Sequence, residues 1–412
     1  MLPFAALRKL FSFAAIVLAV LSAASVTRAD DPFKVIVIPD TQRHASQGYP
    51  HVFNSQIQYA VDQNAAFLIG LGDMVDDGAD ISHWNIADAA YQIADNAGLS
   101  YGVACGNHDY NDMSDYLDPT NFRNYFGPSR FAGKPWEHGY KSLTGGDVMN
   151  AYHVFQNGGR SYMVLFLEMC ANDSALAWAQ GVVDTHPGIP IMVAMHQYLD
   201  QDLTGSNRRV TTTERARTGD TTANSPQTIW HEFIKVNPQI FMVLSGHHHP
   251  AGHYTQINNN QEGLPVYQIV QNWQELWGTG WLRELTFIPD EDKIEVRSID
   301  VYSGVTELHT CYLDFEYLDY AVIVDGDVDG DGFVGGDDLT VILTNWGRFG
   351  MTRRQGDLTG DGFVTGDDYT EVLTYWGTGI PPQSVITSVP EPATLGLLLL
   401  GGLVLLRRKR SA

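Results

Sequence analysis

Basic residues are scarce. The 412-residue chain has 25 Lys and Arg against 48 Asp and Glu, a formal charge of −23. Seven of those basic residues lie at the ends: Arg8, Lys9 and Arg28 in front, Arg407, Arg408, Lys409 and Arg410 behind. Loss of both ends would leave a still more acidic body. Such a surface excludes the basic footprint that nucleic-acid backbones require; it suits an exported protein that binds cations. Cysteine is sparse too. Cys105, Cys170 and Cys311 are an odd set of three, which excludes a disulfide framework and leaves room for one bond at most. Cys105 lies inside an apolar run and reads as a buried structural thiol. Long apolar runs are also missing: Leu10–Ala24 and Ala393–Leu406 fall short of the roughly 20 residues of a spanning helix.

What is present is material for a sizeable core, 44% hydrophobic residues over a length that suits two or three units. Arg8 and Lys9 precede the Leu10–Ala24 run, and Thr27-Arg28-Ala29 follows it, the pattern of a secretory signal peptide over residues 1–29. A membrane anchor is the rival reading. From Phe33 onward short apolar runs alternate with amphipathic stretches, which predicts an α/β domain. The strand-like runs are Lys34–Ile38, Ala66–Leu71, Tyr101–Cys105, Ile189–Met195 and Ile240–Leu244. Helices are expected over His51–Asn64, Ser82–Ala97 with Ser82 as cap, Ser174–Asp184 after Asp173, and Gln227–Val236 after Ser225-Pro226. Residues 111–160 read as a long insertion and 200–225 as a polar loop, lengths that are often functional. Strand-like segments return at Leu282–Ile288, Ile294–Tyr302 and Val305–Tyr312, as if to complete a second sheet.

The five runs end in Asp40-Thr41-Gln42, Gly72-Asp73, Gly106-Asn107-His108-Asp109, His196, and Gly246-His247-His248-His249. Parallel or mixed strands would gather these residues at one sheet edge, where ligands bind in open α/β folds. Carboxylate, imidazole and carboxamide make a mixed oxygen/nitrogen set for transition metals. Each piece alone is weak: an Asp after a strand is common, and a lone His196 on an apolar strand is more often a core residue. Their order carries the weight. At these residues the chain resembles the calcineurin-like metallophosphoesterases, with their D-x-H, G-D, G-N-H-D/E, H and G-H-x-H pattern, over roughly residues 33–318. The resemblance implies an α/β fold built as a four-layer αββα sandwich, and two divalent or trivalent ions (Fe, Mn or Zn). Asp73 would bridge them, Asp40 and His249 would hold the first, and Asn107, His196 and His247 the second. His108 would assist the leaving oxygen of a phosphate-ester substrate, with Asp109 orienting it, and a metal-bridging hydroxide would attack. The family usually has His where this chain has Gln42. Gln42 either coordinates weakly or holds a water on the ion, and His44 is a possible substitute. The segments Pro39-Asp40-Thr41-Gln42, Ser225–Trp230 and Gly280–Arg283 resemble a secreted bacterial branch that carries this Gln. Tyr198, His253, Asn272, Trp273 and Trp277 are candidate pocket walls, and Arg208 and Arg209 candidate phosphate contacts.

An internal repeat spans residues 325–378. Gly326–Asp338 recurs 30 positions later as Gly356–Asp368, and both match the calcium-loop template D-x-D-x-D-G with a carboxylate at position 12. Asp327, Asp329, Asp331, Phe333 and Asp338 would serve one calcium ion; Asp357, Thr359, Asp361, Phe363 and Asp368 the other, more weakly because of Thr359. Asp at position 12 and the loop-then-helix order resemble a dockerin-like, EF-hand-like calcium domain. A calcium-stapled spacer and a module for a cohesin-like or intramolecular partner both remain open. After a linker at 379–388, residues 389–412 resemble a PEP-CTERM sorting signal. That implies exosortase-type sorting machinery and export to the cell surface or medium of a Gram-negative-type bacterium. The rival to an enzyme is an inactive surface-binding or scaffold protein on the same fold. Seven of the eight usual motif positions are intact, and decayed enzymes tend to lose them.

Overall fold

The computed structural model describes residues 32–46, 48–113, 118–141, 150–157, 160–200, 204–205, 207–213, 222–276, 278–288, 293–314, 326–328, 333–349, 351, 355–359 and 361–378, with backbone only for 306–314. The expected signal peptide, the linker, the sorting tail, Trp277, Asp329, Asp331 and the Cys311 side chain lie outside these residues. Two sheets form a mixed α/β architecture. The first joins β1 (Phe33–Ile38), β2 (Phe67–Gly70) and β3 (Tyr101–Val103), all parallel, to the antiparallel β11 (Trp281–Ile288), β12 (Lys293–Asp300) and β13 (Val305–Asp314). The last three therefore extend the β1 sheet instead of completing a second one.

The second sheet has seven strands in the order β4 (Glu137–Tyr140), β5 (Ala151–Asn157), β6 (Arg160–Leu167), β7 (Ile191–Met195), β8 (Ile240–Ser245), β10 (Pro265–Asn272) and β9 (Gly252–Asn259). Its β6, β7, β8 and β10 run parallel. β6 is apolar on both faces, as a covered parallel strand must be. Tyr162, Val164 and Phe166 join the core shared with the first sheet, while Met163, Leu165 and Leu167 face the opposite core. Aromatic rings knit the sheets together. Phe33, stacked at 4.6 Å on Phe287 of its own sheet, meets Tyr162 of the other at 5.1 Å; Phe67 stacks across on Phe155 at 5.1 Å.

Helices cover the sheets. After α1 (Gln42–Ser46) comes α2 (Pro50–Asp62), which starts on a proline and buries Val52, Phe53, Ile57 and Ala60. α3 (Ile81–Ala97) is capped by Asp80, whose carboxylate accepts the Ser82 N–H, so the cap lies two residues before the expected Ser82. It ends at Gly98 in the left-handed region. Residues 111–160 are not a plain loop: α4 (Thr120–Phe126), α5 (Pro128–Phe131), β4 and β5 form there. Arg130 fastens this stretch to α3 through Asp88 and Asp95. On the far face of the second sheet lie α6 (Asp173–Thr185), capped by Asn172, and α7 (Pro226–Ile229), capped by Ser225 and continued by a π-helical turn over Trp230–Ile234.

In the repeats, α8 (Gly336–Asn345) and α9 (Gly366–Thr374) share a small core of Val328, Val334, Ile342, Val364 and Val372. Asp338 accepts the Val328 and Gly335 N–H groups, and Asp368 those of Thr359 and Thr365. Among the described residues no helix is long and apolar enough to cross a membrane.

Candidate metal centre

The parallel strands β1, β2, β3, β7 and β8 deliver their C-terminal ends to one edge. Asp40 follows β1 and is buried; its carboxylate accepts the His247 backbone N–H at 3.0 and 3.3 Å. Beyond β2, Gly72 and Asp73 both adopt left-handed backbone, φ 91° and 48°. A Cβ on Gly72 would come within 2.7 Å of the Gly106 nitrogen, so only glycine permits this approach. Asp73 Oδ1 accepts the His108 N–H at 2.8 Å, which locks the β2 exit to the β3 exit.

His196 is the hub. Its Nδ1 donates to the Leu71 carbonyl at 2.9 Å, a bond that fixes the tautomer and presents Nε2 to the cluster. Around Nε2 lie Asn107 Oδ1 at 3.1 Å, His247 Nδ1 at 3.1 Å, Asp73 Oδ2 at 3.3 Å and Asp40 Oδ1 at 3.9 Å. His247 is held in left-handed backbone (φ 69°), and its carbonyl accepts the Asn272 amide. Ligand atoms of Asp73, His196 and His247 all lie within 4.8 Å of one another.

Charge explains what this arrangement can take up. Burial alone would lower the His196 pKa, but Asp73, its hydrogen bond and Asp40 push it up to about 10. Burial would raise Asp73, yet His196, His108 and His247 hold its carboxyl well below the usual carboxylate range. Asp40 is raised by burial, with His196 opposing and Asp73 reinforcing the shift. These groups turn lone pairs toward one point, and only a proton or a cation satisfies them. Gln42 lies two residues after Asp40, and its Oε1 is buried with no hydrogen-bond partner among the described residues. The carboxylates occupy space that glycines leave open. A Cβ on Gly106 would fall 2.2 Å from Asp73 Oδ1, and one on Gly246 2.3 Å from Asp40 Oδ2. The donor set and its cradle fit transition-metal ions.

Asp40, Asp73, Asn107, His196 and His247 thus come together, with His108 beside them. His249 does not. Its ring is 45% exposed and meets Glu275 at 3.0 Å and the Gln274 amide, which hold it at the rim. Asp109 does not orient His108 either. Fully buried, it accepts N–H groups from Met74, Val75 and Gly106, and so pins the two turns together. Burial and Asp73 raise it to about 7, against those N–H groups. His108 is oriented instead by Asp76, whose backbone carbonyl takes the Nδ1 proton at 2.7 Å and whose carboxylate lies 3.9 Å away. The spacing Asp73-Met74-Val75-Asp76, one turn beyond the β2 exit, was the signal for it. His44 turns Nε2 to the Thr279 carbonyl, and burial lowers its pKa to about 4. His248 sits between Gln197 and Asp200. Tyr198 is buried, Trp273 stacks on Trp281, and His253 meets Trp273 edge-on. Arg209 lies buried on Trp230 among Gln227, Asn258 and Gln268, and Arg208 covers the Tyr254 ring. Cys105 and Cys170 are buried thiols.

Residues 388–410 match the PEP-CTERM protein-sorting motif, in keeping with the tail expected at 389–412. Over 288 residues the chain is 32% identical to the uncharacterized protein YvnB of Bacillus subtilis (strain 168), covering 66% of this chain and 20% of that protein. The chain therefore spans about a fifth of the length of this relative. Among solved structures, a dimetal phosphatase from Danio rerio overlaps 69% of this chain and 100% of its own at 10% identity, with a TM-score of 0.44. The purple acid phosphatase PPD1 from yellow lupin (Lupinus luteus) seeds overlaps 71% and 55% at 11% identity, also with a TM-score of 0.44.

Proposed function

We propose that the chain is an exported dinuclear-metal hydrolase of phosphate esters, mono- or diester. The observation that carries this reading is the convergence of Asp73, Asn107, His247 and Asp40 on His196 Nε2. Asn107, His196 and His247 would hold one ion, Asp40 and Gln42 the other, and Asp73 would serve both. Bound Fe, Mn or Zn ions neutralise charge on the phosphoryl group and lower the proton affinity of water. His108, fixed through Nδ1 by Asp76, keeps Nε2 for the leaving oxygen, to which it passes a proton. The sorting motif supports export to the cell surface. The repeats are proposed as a dockerin-like calcium module, either a spacer or a partner site. The protein as purified is expected to hold two transition-metal ions and to cleave an aryl phosphate. Asp73→Asn should slow that cleavage about 100-fold or more, as loss of a shared ligand implies. Fewer than two ions, with a rate indifferent to Asp73→Asn, would replace the enzyme by the surface-binding reading.

A further inference from the structure

Beside Asp40 lies a small cavity whose walls include His44, Gln56, Trp273, Gln274 and Trp281. Three of these side chains have an unmet acceptor. The Gln56 amide N–H donates to the Trp281 carbonyl at 2.8 Å, which leaves its Oε1 over. His44 gives its Nε2 proton to the Thr279 carbonyl at 2.9 Å, so Nδ1 is an acceptor on the neutral imidazole. Gln274 gives its amide nitrogen to His249 and keeps its Oε1. Gln56 Oε1, His44 Nδ1 and Gln274 Oε1 are buried, and none has a hydrogen-bond partner among the described residues. Gln56 is only 1% exposed and His44 8%. Bonds to backbone carbonyls fix both side chains, so neither can swing out to find a donor in water.

Buried acceptors without donors are costly, and whatever meets these three must donate. A water donates twice and needs a donor in return, whereas a protonated amine donates three times and accepts nothing. The walls suit its charge as well. Trp273 and Trp281 stack with ring centroids 5.8 Å apart, and the faces of such rings attract cations. Asp40 adds a carboxylate to the same wall. Arg43 is the one cation in the lining, and the Asp76 carboxylate pairs with it at 3.0 Å. We infer that this cavity is a binding site for a primary ammonium group, either the free ammonium ion or the –NH3+ of an amine-bearing phosphate ester. In the second case it sets the substrate class of the neighbouring centre as phosphate esters of short amino alcohols. That source rests on the phosphoesterase reading above; the free ion does not.

The test uses the manganese-loaded full chain and has two arms. In the first, ammonium chloride is titrated at constant ionic strength and should change the tryptophan emission saturably. Tetramethylammonium chloride, which has the charge but no N–H, should not. In the second, 2-aminoethyl phosphate should be cleaved with a kcat/KM about 10-fold or more above that of propyl phosphate, its neutral isostere, the scale of a hydrogen bond to a charged group. Gln56→Met removes one acceptor and should weaken the ammonium response and shrink the ester ratio by a similar factor. Gln274→Met, nearer the surface, makes the same test should Gln56→Met fail to fold. An ammonium response with an ester ratio near one assigns the site to the free ion; an ester preference alone assigns it to the substrate. If neither probe differs from its control, or both variants leave both readouts unchanged, the cavity holds water and the inference is overturned. Loss of all ester cleavage beside a persisting ammonium response would remove the phosphoesterase reading and leave this site standing.

Discussion

Gly106 has no room for a methyl group. The Cβ of an alanine there would sit 2.2 Å from Asp73 Oδ1 and 2.3 Å from the Asp73 nitrogen, and neither can retreat without breaking the left-handed turn at Asp73. Gly106→Ala should therefore weaken metal binding about 10- to 100-fold, the scale of a displaced ligand support, with little change in far-ultraviolet circular dichroism. Calorimetric titration with manganese checks it; unchanged affinity would mean that Asp73 is not a ligand. The glycine–acid pairs were readable from the sequence because a strand exit needs a sharp turn, and glycine marks it. His249 was not. Two positions beyond His247, its side chain is decided by Glu275 and Gln274, which sit on a segment far along the chain. Asp76 escaped notice for a related reason: it does not follow an apolar run directly, and its value comes from holding the His108 ring.

Among the elements, β1, β2, β3, β7 and β8 were legible as apolar runs ending in polar ligands. β5, β9 and β10 were not, since His153, Gln256, Gln268 and Gln271 interrupt their apolar pattern while being buried. These polar side chains survive inside because the surrounding strands enclose them, which no local window reveals. His153 shows the cost. On β5 it accepts the Trp136 indole N–H at 2.9 Å and lies against Phe131, Phe166 and His138. Burial, with a smaller contribution from His138, lowers its pKa from 6.5 to about 3. Between those values the unfolded chain binds a proton that the folded one refuses, so stability falls as pH falls through that window. The slope is about 1.4 kcal/mol per pH unit for one such group. His153→Phe should flatten the fall in urea-unfolding free energy between pH 6 and pH 4 relative to the wild type. An unaltered slope would place the acid sensitivity elsewhere.

At the scale of the whole molecule the chain carries two kinds of cation site on the proposed reading, and they should be separable. Asp338 and Asp368 are buried and already organise their loops through backbone N–H groups. Calcium bound only by the folded repeats raises their melting temperature by mass action. Millimolar calcium should thus shift a C-terminal transition upward and leave aryl-phosphate cleavage unchanged. Asp338→Ala should reduce that shift; a calcium increment that survives the change would remove Asp338 from the ligands. The centre at the sheet edge has a different dependence. Asp40, Asp73 and Asn107 follow strands of one sheet, whereas His196 and His247 follow strands of the other. Neither half alone offers a closed coordination shell, and the aromatic seam between the sheets is what brings the halves within reach. An ion can be retained only after the sheets dock. The choice of metal is then made wherever the last stage of folding occurs, from the ions on that side of the membrane.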